Sequence, residues 1–292
     1  MSVMGAAAMD RADAGASRAP AIALQSVGFV YPDGTRALAE VSLSIPAGQR
    51  VAIVGQNGSG KSTLVRQLNG LLTPTEGRVL VDGRDTKGRH VAELAALVGL
   101  AFQNPDRQIF AGRVRREVEF GPRNLRVRGR ALDGAVTEAL AAVGLSDQGD
   151  TNPYDLGYSR RKLLAIASIL AMRTPIVVLD EPTTGQDARG VERVQAIVAN
   201  LAAERRTVVA ISHDMRFVAE AFERVLVLRG GRLILDGTPS DLFAEPNWPA
   251  LASTFLEPPV ASRIGAGLGL GSTPTTASLV EALRAGEPNA TA

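Results

Sequence analysis

The chain has 292 residues, 45% of them hydrophobic and 21% charged, with a formal net charge of +2. That composition supplies a sizeable core for one large domain, or one domain with an appendage, and too little surplus charge to argue for a nucleic-acid partner. Cysteine is absent, which excludes disulfides and thiolate metal sites, and the longest apolar run, LLAIASILAM (163–172), stops at Arg173, short of the roughly 18 residues that span a bilayer.

In chain order, residues 1–21 lack a basic start and are interrupted by Asp10 and Arg11. They are expected to form a disordered arm and not a signal peptide, consistent with a cytoplasmic chain. Strand-like apolar runs follow at 22–31, 50–55, 77–83, 96–102, 174–181 and 207–213, and RVLVLRGGRLILDG (224–237) reads as a hairpin turning at Gly230-Gly231. Helical periodicity fills 61–69, 131–143, 160–172, 189–204 and 215–223. Short buried strands alternating with helices predict an α/β core with a largely parallel sheet. The mostly helical stretch 103–172 interrupts that alternation as an inserted subdomain. Residues 241–292 mix Pro246, Pro249, Pro258, Pro259 and GAGLGLG (265–271) with apolar Leu251, Phe255, Val260, Ile264 and Leu283. This predicts a small, partly helical extension with a flexible end.

GQNGSGKST (55–63) follows an apolar strand and opens a helix. Gly55, Gly58 and Gly60 let the backbone amides around Gln56, Asn57 and Ser59 turn inward and cradle phosphate oxygens. The helix N-terminus adds partial positive charge, Lys61 reaches the β- and γ-phosphates, and Ser62 ligates Mg²⁺, with Thr63 beside it. In IVVLDEP (176–182), Asp180 and Glu181 end an apolar strand, where open parallel sheets bind ligands. Asp180 is expected to hold the Mg²⁺ shell, and Glu181 to orient or deprotonate the attacking water. His213 ends the next strand within reach of the γ-phosphate or that water. Gln103 follows the strand at 96–102, a place from which the metal or the water is sensed. Tyr31, ahead of Pro32-Asp33-Gly34, offers an aromatic face for adenine. The alternative for His213 and Tyr31 is ordinary strand-end polarity and packing.

In this order the pieces resemble the nucleotide-binding subunit of an ABC transporter over residues 22–240. Tyr31 matches the adenine-stacking loop, GQNGSGKST the Walker A motif, Gln103 the Q-loop, VVLDEP the Walker B motif, TTGQD the D-loop and SHD the switch histidine. FQNPDRQIF (102–110), VEFGPRNL (118–125) and the tail from Phe255 to Leu283 are similar to the energy-coupling-factor type, whose ATPases serve vitamin, cobalt and nickel importers. The resemblance implies a P-loop NTPase core with a helical subdomain, an antiparallel β region and a C-terminal helical extension that helps ATPase subunits pair. It implies hydrolysis of ATP with Mg²⁺, integral membrane partners and a peripheral position on the cytoplasmic face of the cell membrane. The membrane partner is expected in a groove between core and insertion near Gln103. Arginines 113, 115, 116, 123, 126, 128 and 130 form a basic face there, or a merely solvated one.

One motif departs from the family. Where it carries LSGGQ, this chain has LGYSR (156–160): Gly157 replaces the serine that meets an ATP on the opposing subunit, Tyr158 and Ser159 replace two glycines, and Arg160 the glutamine. A tyrosine is poorly suited to glycine-only dihedrals and bulky beside a phosphate. Gln186 in TTGQD likewise replaces a leucine. The resemblance therefore favours pairing with a different ATPase subunit over a homodimer. Two other classes share these motifs in part: a soluble ABC ATPase acting in nucleic-acid or ribosome metabolism, and a P-loop small-molecule kinase. The first usually carries tandem cassettes or a coiled coil, and the second lacks the ordered set Gln103, Glu181, His213.

Overall fold

A computed structural model describes residues 19–286. The expected N-terminal arm up to residue 18, and the expected chain end from 287, lie outside the described residues.

The chain begins with strands β1 (Ile22–Val30) and β2 (Arg36–Ile45), passes through β3 (Arg50–Val54) and helix α1 (Lys61–Leu68), and returns in β4 (Glu76–Val81) and β5 (Arg84–Asp85). Short α2 (Val91–Ala95) leads to β6 (Val98–Ala101) and then to α3 (Val114–Asn124), α4 (Gly129–Ala142) and α5 (Tyr158–Leu170). Alternation resumes with β7 (Ile176–Asp180), α6 (Ala188–Ala203), β8 (Thr207–Ile211) and α7 (Met215–Ala221), and a hairpin of β9 (Arg224–Arg229) and β10 (Arg232–Gly237) closes the core. Beyond it come α8 (Pro239–Leu242), α9 (Trp248–Ala252), α10 (Val260–Gly267) and α11 (Thr276–Gly286).

Two sheets form. One has the order β10-β9-β3-β8-β7-β6 and is parallel except for the β9–β10 hairpin. The other, β2-β1-β4-β5, is antiparallel. Every residue of β7 and β8 is buried, which explains their unbroken apolar runs IVVL and VVAI, as in a strand covered on both faces. Alternation along β3 divides the core. Val51 and Ile53 join β1, β2, β4 and α1 on one face of the six-stranded sheet, while Ala52 and Val54 join α5, α6 and α7 on the other.

Helices α3, α4 and α5 pack on one another through Val118, Leu132, Val136, Leu140 and Leu164. α3 was missing from the sequence reading, because Pro122 stands inside it and its composition is charged. It holds as a helix because Val114, Glu117, Val118, Glu119 and Pro122 are its buried positions. In the tail, Leu242, Phe243, Leu251 and Leu256 join the main core, whereas α10 and α11 pack on each other and leave Val260, Ile264 and Leu268 exposed.

Candidate functional site

The carboxyl ends of four adjacent parallel strands meet on one edge. β3 leads into GQNGSG, β6 to Gln103, β7 ends at Asp180, and β8 leads to His213. Helix α1 starts at Lys61 with Gly60 at its N-cap and no side chain capping it. Its first amides are therefore free for an anion, and the helix dipole adds positive potential. The turn requires glycine where backbone crowds it: a Cβ on Gly55 (φ 145°) would lie 2.2 Å from the Leu228 carbonyl oxygen, and one on Gly60 (φ 100°) 2.4 Å from that of Ala37. The β9–β10 turn braces the loop from outside, Gly231 N donating to Ser59 O at 3.1 Å.

A cleft of about 370 Å³ gathers Tyr31, Asn57, Gly58, Ser59, Gly60, Lys61, Ser62, Thr63, Gln103, Asp180, Glu181 and His213. Gly55 and Gln56 hold Lys61, whose ammonium donates to their carbonyls at 2.6 and 2.9 Å. Thr35, Arg36 and Ala37 also line the cleft. They come from the start of β2, a strand the apolar runs do not announce, and from the residue before it. Tyr31 shares a 2.9 Å hydrogen bond with Thr63 Oγ1 and sets its ring edge-on to Phe29, centroids 4.9 Å apart, which fixes the ring.

Charge is concentrated and buried. Burial lowers the pKa of Lys61, with Glu181 and then Asp180 pulling it back. Asp180 is raised by burial, against a hydrogen bond from Ser62 and the charges of Arg66, Lys162 and Lys61; its Oδ1 has no hydrogen-bond partner among the described residues. Glu181 is likewise raised, first by burial, while a hydrogen bond from Thr184 opposes the shift. Thr184 Oγ1 donates to Glu181 Oε2 at 3.2 Å, and His213 Nε2 lies 3.1 Å from Oε1. His213 is pushed down by desolvation and then by Lys61, which favours its neutral form. Glu181 also has φ 53°. A non-glycine residue there carries strain of about 1–3 kcal/mol, retained only where its surroundings fix it. A polyphosphate suits the loop amides and Lys61, and a divalent cation suits the orphaned Asp180 oxygen beside Ser62.

Gly157, Tyr158, Ser159 and Arg160 are not in this cleft. Gly157 is the N-cap of α5, Tyr158 packs against Gly185, Ser159 Oγ donates to Gln186 Oε1 at 2.7 Å, and Arg160 is exposed. The three consecutive cations of this helix separate. Next to exposed Arg160, Arg161 Nε lies 3.0 Å from Asp106, and Lys162 is 2% exposed, its ammonium donating to Thr184 O at 3.1 Å. Lys162 is a site neighbour the sequence reading missed. Its spacing of four and seven residues from Ile166 and Ile169 was the available signal.

A second cleft of about 370 Å³ lies between α2, β6, α3 and α5, with Phe110 and Phe120 at its mouth. Their rings stand edge to face with centroids 4.6 Å apart, 59% and 48% exposed. The neighbouring arginines are largely engaged: Arg115, Arg116 and Arg123 all surround buried Glu119, and Arg113 pairs with Asp150.

Residues 38–184 match the family model described as ABC transporter. The chain is 42% identical over 226 residues to the energy-coupling factor transporter ATP-binding protein EcfA of Methanothermobacter thermautotrophicus, which covers 77% of this chain and 73% of that one. Among solved structures it resembles cbiO1 from Clostridium perfringens, part of the ABC transporter complex cbiONQ, at 31% identity and a TM-score of 0.71, over 86% of this chain and 99% of that one. It also resembles a dimeric ATP-binding cassette in a post-hydrolysis state bound to ADP and Pi, at 28% identity and a TM-score of 0.69, over 74% of this chain and 98% of that one.

Proposed function

Because the chain belongs to the ABC transporter family, as an ATP-binding and ATP-hydrolysing cassette, we propose that it powers an energy-coupling-factor type importer of a vitamin or metal ion. The observation that carries the reading is the convergence of the phosphate loop, Gln103, Asp180, Glu181 and His213 on one cleft. ATP lies with its adenine against Tyr31 and its β- and γ-phosphates on the loop amides and Lys61. Ser62, Asp180 and Gln103 would hold Mg²⁺, which would supply charge neutralisation to the phosphates. The described residues hold no cluster of three or more His, Cys, Asp or Glu able to bind a metal, as befits an ion whose remaining ligands are phosphates and water. Glu181, its basicity raised by burial, takes the proton of the attacking water, and neutral His213 orients that water or the γ-phosphate.

Among the described residues no helix is long and apolar enough to cross a membrane, and the reading assigns transport to integral membrane subunits. The domain division follows the same logic: a cassette over 22–240, a helical subdomain over about 103–172, and an extension from 241. The membrane subunits dock in the cleft at Phe110 and Phe120, an exposed aromatic pair beside the segment that carries Gln103, and the chain sits peripherally on the cytoplasmic face. Within the ATPase pair, each ATP lies between one chain's phosphate loop and the other's signature. LGYSR is a poor signature, so the partner is a different ATPase subunit with an intact one. The ATP on this chain's Lys61 is then hydrolysed, and the ATP on the partner turns over slowly.

Affinity capture of the full chain from detergent-solubilised membranes tests this. The expected catch is an integral membrane protein and a second ATPase subunit. Phe110→Ser with Phe120→Ser is expected to lose most of the membrane protein while binding ATP as before, because truncating central aromatic anchors costs about 2 kcal/mol or more each. Capture of ribosomes or nucleic acid in place of a membrane protein would overturn the reading.

A further inference from the structure

The start of α5 is fastened to the turn that follows Glu181 at three points. Lys162 donates to Thr184 O at 3.1 Å, and Thr184 Oγ1 in turn donates to Glu181 Oε2 at 3.2 Å. Ser159 and Gln186 bond reciprocally, Ser159 Oγ to Gln186 Oε1 at 2.7 Å and Gln186 Nε2 to Ser159 O at 3.1 Å. The Tyr158 ring covers Gly185, where a Cβ would come within 2.8 Å of it. Ser159 and Gln186, the departures in two separate motifs, are thus partners in space.

Lys162 is among the largest wholly buried side chains, and the hydrolytic scheme leaves it without a task. A buried ammonium is costly unless hydrogen-bonded and close to opposite charge. Here the charges that favour it are Glu181 and Asp180. The strained backbone of Glu181 needs a surrounding that fixes it, and the turn 182–187 is the part of that surrounding reached from α5.

We propose that Lys162, with the Ser159–Gln186 pair, positions Glu181 of its own chain. The altered signature helix grips the turn, so that the Thr184 hydroxyl holds Oε2 and leaves Oε1 toward His213. Lys162, Ser159 and Gln186 are positioning residues that act through Thr184 and touch no substrate. The inference rests on the catalytic reading of Glu181.

The test uses the full chain in the complex recovered from membranes, with kcat and KM for ATP hydrolysis, ATP affinity by calorimetry and thermal unfolding. Lys162→Met keeps the length and removes the ammonium. It is expected to lower kcat by about 10- to 100-fold, as a displaced catalytic group does, with KM and ATP affinity within roughly twofold. Thr184→Val is expected to do the same, and the double variant to be no slower than the slower single one, since both act on one carboxylate. Ser159→Ala, at a half-buried surface position, covers the case in which Lys162→Met does not fold. It is expected to lower kcat severalfold, with Gln186→Leu adding nothing further. A folded Lys162→Met at full kcat, or a loss confined to KM, overturns the proposal, as does full kcat in both Ser159→Ala and Gln186→Leu. Glu181→Gln is measured beside them. If it is inactive while Lys162→Met is fully active, only this inference falls; if Glu181→Gln keeps the unmutated rate, the catalytic reading falls with it.

Discussion

Glu181 joins a left-handed backbone to a carboxylate that is 4% exposed and raised above its usual range by burial. The sign of the stability effect follows. A carboxylate with a folded pKa above the unfolded value of 4.5 binds protons more readily when folded, so its ionisation destabilises the chain above the folded pKa, and the penalty disappears below 4.5. Glu181→Gln is therefore expected to raise the thermal unfolding temperature of the nucleotide-free chain at pH 7 to 8, with the gain shrinking as pH falls into the carboxylate range. Unfolding curves of both proteins across that range check it. An equal or lower unfolding temperature for the variant at pH 8 would show that Glu181 is well solvated or well paired. The sequence shows Glu181 and Asp180 plainly, because they terminate a buried apolar strand. Lys162 was hidden in a run of three cations, and only the packing of α5 separates it from Arg160 and Arg161.

Among the elements, those with regular period were legible and those with a broken one were not. In β1 the large buried side chains step 22, 24, 27, 29, and in β2 they step from Leu38 to Val41 and then Ile45. Ser26 (φ 49°) and Glu40 (φ 55°) sit at these irregularities, and the pairing register shifts near both. An inserted residue of this kind bends the strand and moves the apolar phase by one, which hid β2 and with it the cleft residues Thr35, Arg36 and Ala37. The tail helices were expected, and their exposed stripe has the spacing of a paired face: Val260, Ile264 and Leu268 lie four residues apart, 61%, 45% and 58% exposed. Ending the chain after Glu257 keeps Leu251 and Leu256 in the core and removes α10 and α11. The shortened chain is expected to fold and bind ATP normally yet associate more weakly with ATPase subunits. Sedimentation of the two forms measures this, and unchanged association would confine the stripe to packing within one chain.

For the whole molecule, the alternation of strands and helices announced a parallel sheet, and the motifs at strand ends announced a site on its carboxyl edge. The structure adds what spacing cannot carry: strands far apart in sequence, β3, β6, β7 and β8, stand side by side and bring Lys61, Gln103, Asp180 and His213 around one cleft. The LGYSR stretch is elsewhere, beside Gln186, so on the proposed reading the cleft draws its hydrolytic groups from this chain and its signature from a partner. The claim that this cleft drives the transporter is tested most directly by ATP turnover of the assembled complex carrying Glu181→Gln. The expected result is retained ATP binding with hydrolysis reduced by about 10²-fold or more, the scale of a lost general base. Hydrolysis at the unmutated rate would contradict it.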